Sequence, residues 1–277
     1  MPRFNLNCSI AVGAFLGDGG RLDILQRILR EHAPRWSSAI HVRRPRKERA
    51  TIDLERRGSL EKAVLERAQE RGAVFQALSA EHGAGTSRVF GQAELGGCDA
   101  SLVVVVSVDE NPLAQAGPNW TWGNRIVLQV CRSKVEGVAA SVWSRNAFDA
   151  LCGGLSPVHG HAELHEEYDA KNMIHDDAGS RAVGVDVRRH LPGIYWLNFF
   201  GRPYCEFIGA GRVLDAPAPD VRRVDAGVLV ALGEDPSAWS SESYREAESR
   251  VRSHLGEEYF FSRTEPNRET RASAFPL

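Results

Sequence analysis

Apolar and polar positions along this chain fall into short runs that predict a strand-rich fold with a few amphipathic helices. Phe4 to Phe15 reads as a strand, and Gly17-Asp18-Gly19-Gly20 breaks it. Leu22, Leu25, Ile28 and Leu29 then recur at helical spacing, and Pro34 stops that helix from continuing. Ile40 with Val42, and Thr51 to Leu54, predict two short strands on either side of a basic stretch. Ser59 is placed to cap a second helix carrying Leu60, Val64 and Leu65. Gly83-Ala84-Gly85 has neither the lysine nor the preceding strand that a phosphate-binding loop needs, and reads as a turn.

Leu102 to Val108 is a continuous β-branched run, the pattern of a strand covered on both faces. Asn111 to Gly123 is a Pro/Gly/Trp loop, and Arg125 to Cys131 predicts a strand antiparallel to the β-branched run. Val138, Val142, Phe148 and Leu151 place a helix over about 136–151, closed by Gly153-Gly154. Beyond the turn Ala216-Pro217-Ala218-Pro219 come a strand at Gly227 to Leu232 and a helix over Ser241 to Leu255. The polar tail, residues 263–277, is expected to be loose. The sum is an α+β protein with mainly antiparallel sheets and helices packed on one face. It reads as a single domain over 1–277, with a division into two sub-lobes, about 1–120 and 121–260, as the alternative.

Composition narrows the function classes. A net charge of −2 gives the whole chain no electrostatic reason to bind nucleic acid or a membrane. Charge is uneven locally: residues 41–57 carry seven Lys/Arg, and residues 161–177 carry six acids against one lysine. The basic stretch lacks the interleaved aromatics of a single-strand binder and reads as a solvated loop. Five cysteines without a Cys-x-x-Cys pair suggest reduced thiols and a cytoplasmic protein. The first residues show no basic region followed by a sufficient apolar core, so no signal peptide is expected. No apolar run approaches the ~20 residues of a membrane span.

The strongest candidate for chemistry is His159-Gly160-His161-Ala162-Glu163-Leu164-His165-Glu166-Glu167, followed by Asp169 and His175-Asp176-Asp177. Imidazoles and carboxylates suit zinc or non-haem iron, and a catalytic site needs about three of them on one point. The spacing matches neither His-Glu-x-x-His nor the His-x-His-x-Asp-His arrangement of metallo-β-lactamase-like hydrolases. The segment therefore reads as a solvated acidic loop, with a metal-dependent hydrolase as the alternative. A Cys152–His159 or Ser156–His159 dyad shows no third group to place the base, and no Gly-x-Ser-x-Gly elbow is present. No catalytic residue, metal or cofactor is assigned.

Leu191 to Gly209 packs six aromatic residues into one run, with a strand expected over Ile194 to Phe200 and a helical turn over Tyr204 to Ile208. Its residues Gly193, Tyr195, Trp196, Leu197, Asn198, Gly201, Tyr204 and Gly209 spell a block that resembles the immunity protein 52 family of bacterial polymorphic-toxin systems. The close match covers roughly 190–209 and a looser one reaches back to about residue 125. The resemblance implies a cytoplasmic, non-enzymatic α+β protein. Such a protein binds and neutralises a cognate secreted toxin, a nuclease effector of a type VI or other polymorphic-toxin system. On that reading the acidic stretch would plug a basic cleft, with His159, His161, Glu163, Glu166, Glu167 and Asp169 at the interface. Trp120 and Trp122 are further anchor candidates.

Overall fold

The computed structural model describes residues 6–12, 20–32, 39–42, 50–53, 55–62, 86–95, 98–107, 124–130, 138–175, 181–183 and 190–265. Among them, ten strands form one sheet in which every pairing is antiparallel. In chain order these are β1 (Leu6–Val12), β2 (Ala39–Val42), β3 (Ala50–Asp53), β4 (Thr86–Leu95), β5 (Cys98–Ser107), β6 (Asn124–Val130), β7 (His159–Leu164), β10 (Leu197–Gly201), β11 (Asp220–Val224) and β12 (Gly227–Ala231). Across the sheet they run β11-β12-β10-β7-β1-β6-β5-β4-β2-β3. Strands β8 (Met173–His175) and β9 (Arg181–Val183) pair separately. The expected partnership of the two apolar strands holds, with Leu102 opposite Leu128 and Val104 opposite Ile126. The short strands flanking the basic stretch also pair, His41 opposite Thr51.

β1 lies between β7 and β6, so a strand from the first of the two candidate sub-lobes is hydrogen-bonded on both sides to strands from the second. Its alternate residues Leu6, Cys8, Ile10 and Val12 point to one face, as the two-residue period of a strand requires. There they meet Ala162 and Leu164 of β7 and Leu197 and Phe199 of β10. Helices α1 (Arg21–His32) and α2 (Val138–Leu155) cover that face with Leu22, Leu25, Ile28, Phe148, Leu151 and Leu155. The fold is α+β with antiparallel pairing, and over β1 its large helices share one face, as expected. At the β10–β12 end a second group packs on the opposite face: α4 (Arg202–Ile208), α5 (Ala210–Leu214) and α6 (Glu242–Leu255). Phe200, Val228 and Val230 meet Tyr204, Val213, Tyr244 and Val251 there.

Three sequence expectations are corrected. Gly153-Gly154 does not close the helix, which continues to Leu155. A Cβ on Gly154 would stand 2.8 Å from Ile28 Cδ1, so this glycine serves the close approach of α2 to α1. The aromatic strand starts at Leu197 and not at Ile194, and its helix starts at Arg202 directly after Gly201. The 161–177 stretch is not a loop: β7, α3 (His165–Asn172) and β8 occupy it up to His175. Trp120, Trp122, Gly83-Ala84-Gly85 and residues 43–49 and 266–277 lie outside the described residues.

Candidate functional site

His-Gly-His-Ala-Glu-Leu alternates polar and small or apolar residues, and on β7 that alternation sorts them by face. Ala162 and Leu164 join the core under α1 and α2, and Gly160 lies against Ile10 and Phe148. His159, His161 and Glu163 point the other way and are 2, 7 and 2% exposed. Neighbouring strands add polar residues at the same level: Asn7 is opposite Glu163, and Ser9 and Asn198 flank His161. Asn7 Nδ2 donates to Glu163 Oε1 at 3.3 Å. Glu163 Oε2 lies 3.5 Å from His161 Nε2.

Each histidine is held in an aromatic setting. His159 packs on Tyr204 of α4 (5.4 Å between ring centroids) and edge-on against Phe200 (5.9 Å). Burial pushes its pKa down to about 3, so the ring is neutral at pH 7. His161 lies 4.9 Å from the Tyr195 ring and stacks at 6.0 Å on Tyr168 of α3. Burial also drives the Tyr195 and Tyr204 hydroxyls well above their ordinary pKa, so both stay protonated.

α3 closes over this face with the Tyr168 ring and with a set of polar groups. Its two buried residues are Glu167, with no exposed surface, and Asn172. Glu167 Oε1 accepts from Lys171 Nζ at 2.7 Å and from the Tyr244 hydroxyl of α6 at 3.0 Å. Lys171 Nζ also donates to the Ile194 carbonyl at 2.6 Å, pairs with Glu248 at 2.9 Å and lies 4.9 Å from the Tyr195 ring centroid. Asn172 Nδ2 donates to the Tyr195 hydroxyl and to the Tyr168 carbonyl. Sequence reasoning missed Lys171 as the hub of this cluster. Its signal was the glutamate four residues earlier, which lies beside it on a helix.

The aromatic block is scaffold around the same cluster. Asn198 Oδ1 accepts from the Tyr195 amide at 2.9 Å, and its Nδ2 donates to the Tyr195 and Val230 carbonyls. The Trp196 indole donates to the Gly233 carbonyl at 2.9 Å, and Leu197 pairs with both Ala231 and Ala162. Gly193 and Gly209 have φ of +151° and +105°, where a side chain is strained. A Cβ on Gly201 would stand 2.2 Å from the Pro157 carbonyl oxygen.

The structure therefore corrects the placement of the acidic-plug residues. His159, His161, Glu163 and Glu167 are interior, because β7 is a central strand and α3 covers its polar face. Glu166 remains exposed and Asp169 half-buried, the latter 3.7 Å from the exposed His165. Of the candidate metal-ligating histidines, His159 and His161 are neighbours, 5.6 Å between ring centroids, but His165 does not join them, and the His175 side chain lies outside what is described. His165 begins a helix and is 57% exposed, whereas His159 and His161 face the interior. Among the described residues, no three His, Cys, Asp or Glu side chains are grouped to hold a metal ion. Cys152 packs in the α1–α2 core on the opposite side of the sheet from His159, so the drawn dyad does not form.

No helix among the described residues is long and apolar enough to cross a membrane. No protein-family model matches the chain, and no curated protein does. Among solved structures, the chain has a distant likeness to the Pseudomonas aeruginosa T6SS protein PA0821. The likeness is at 12% identity and a TM-score of 0.47, over 90% of this chain and 76% of that one.

Proposed function

We propose that this chain is a non-catalytic binding protein that neutralises a cognate toxin, a nuclease effector of a type VI or other polymorphic-toxin system, in the cytoplasm. The observation that carries the reading is the Gly193–Gly209 block. The residues that make it resemble the immunity protein 52 family are ones this fold depends on, through two positive-φ glycines, the Gly201 close approach and the Asn198 bonds. The titratable cluster supports the same reading. An enzyme presents its reacting groups to a substrate, whereas Glu167 is occupied by Lys171 and Tyr244, and His159 is neutral between aromatic rings. The toxin-facing part of the acidic stretch is then the outward side of α3, with Glu166, Asp169 and His165, where negative charge steers a basic cleft into contact.

The test is co-expression with the secreted protein encoded beside this gene. The expected result is a 1:1 complex that co-purifies and cells that survive the toxin domain. Absence of both complex and protection would remove the assignment.

A further inference from the structure

A helix docked on a sheet usually buries an apolar stripe. α3 departs from this: its buried residues are a glutamate and an asparagine, and besides the Tyr168 ring, stacked on His161 and Tyr195, its contacts to the body are polar, through Lys171, Glu167, Asn172 and the Ala170 carbonyl. Two buried oxygens in this seam, Glu167 Oε2 and Asn172 Oδ1, have no hydrogen-bond partner among the described residues. A seam of incompletely satisfied polar groups separates at lower cost than an apolar core. Lys171 is the cation between Glu167 and Glu248, and it reaches the Ile194 carbonyl as well. Without it, two carboxylates would face each other at low exposure.

Beneath the helix, Tyr168 stacks on His161. His159, two residues earlier on the same face and 5.6 Å from the His161 ring, is covered on its other sides by Phe200 and Tyr204 of the second core. We propose that α3 is a lid, latched by Lys171, that opens over His161 while the ten-stranded sheet and the His159 end of the cluster stay folded. The lid goes beyond the toxin-binding reading and holds whatever the partner is.

Carbethoxylation of histidines by diethyl pyrocarbonate at pH 7, followed site by site by mass spectrometry, tests it on the full chain. His165 is exposed and serves as the fast reference. The expected order in the unaltered protein is His165, then His161, then His159, with His161 at least about tenfold faster than His159 because only the lid must open. Lys171→Met should raise the His161 rate by a further tenfold or about that, leaving His165 and His159 unchanged. Glu167→Gln keeps the Lys171–Glu248 pair and should not raise it. Equal rates at His161 and His159 in the unaltered protein would overturn the lid, since both would then await one cooperative unfolding. A Lys171→Met protein labelled like the parent at His161 would overturn the latch. If that variant does not fold, the His161 to His159 ratio of the unaltered chain decides alone.

Discussion

At the scale of single residues, the interior histidine and glutamate pull stability in opposite directions with pH. The folded state holds His159 at a pKa of about 3, below the ordinary 6.5 of the unfolded chain. Its contribution is complete above pH 6.5 and is lost as pH falls toward 3, a loss on the order of 4–5 kcal/mol. Urea unfolding across that window should therefore show a steep acid slope, and His159→Gln should flatten it. A slope unchanged in the variant would place the acid sensitivity elsewhere. Glu167 behaves in the opposite sense. Burial raises its pKa despite Lys171 and Tyr244, so its charged form opposes folding and its contribution improves as pH falls through the raised value. Glu167→Gln should leave the urea midpoint at pH 7 unchanged or higher. A loss of more than about 1 kcal/mol would show the ion pair to be net stabilising.

At the scale of elements, glycines decide how closely neighbours approach, and their neighbours decide the cost of a methyl group. In Gly201→Ala and Gly227→Ala the added carbon would stand 2.2 Å from the Pro157 carbonyl oxygen and 2.1 Å from that of Phe200. Those neighbours are main chain and cannot turn aside, so each change should lower stability by about 1–3 kcal/mol or more. Gly154→Ala meets only side-chain methyls, Ile28 Cδ1 at 2.8 Å and Ile24 Cγ2 at 3.1 Å, and alanine is the better helix former by about 1 kcal/mol, so its urea midpoint should fall less than that of either strand glycine. A Gly154→Ala loss as large as the strand glycines would mean that α1 and α2 cannot separate by a few tenths of an ångström. These elements were largely legible in the sequence. The Leu22 to Leu29 stripe became α1, the β-branched run became β5, and Ser241 caps α6 by accepting from the Tyr244 amide. Segment 159–164 was misread, because its charge density suggested solvent while its period of two already described a strand. What the pattern lacked was the partner for the polar face, which comes from α3 and α4, with α3 held in turn by Tyr244 of α6, 77 residues from its partner Glu167. Long-range covering of that kind leaves no local signature, and neither did the insertion of β1 between β7 and β6.

At the scale of the whole molecule, the antiparallel sheet carries cores on both faces at its β7–β12 end, and the conspicuous ionisable residues are spent joining helices to that sheet. On the proposed function, such a body offers the toxin a preformed surface, with α3 as the part able to lift. Titrating the purified chain into the nuclease domain proposed as its target, with DNA cleavage as the readout, tests this most directly. The account predicts that cleavage falls in proportion to added chain and ends at one equivalent, with the chain itself leaving the DNA intact. Undiminished cleavage at a large excess of chain would contradict it.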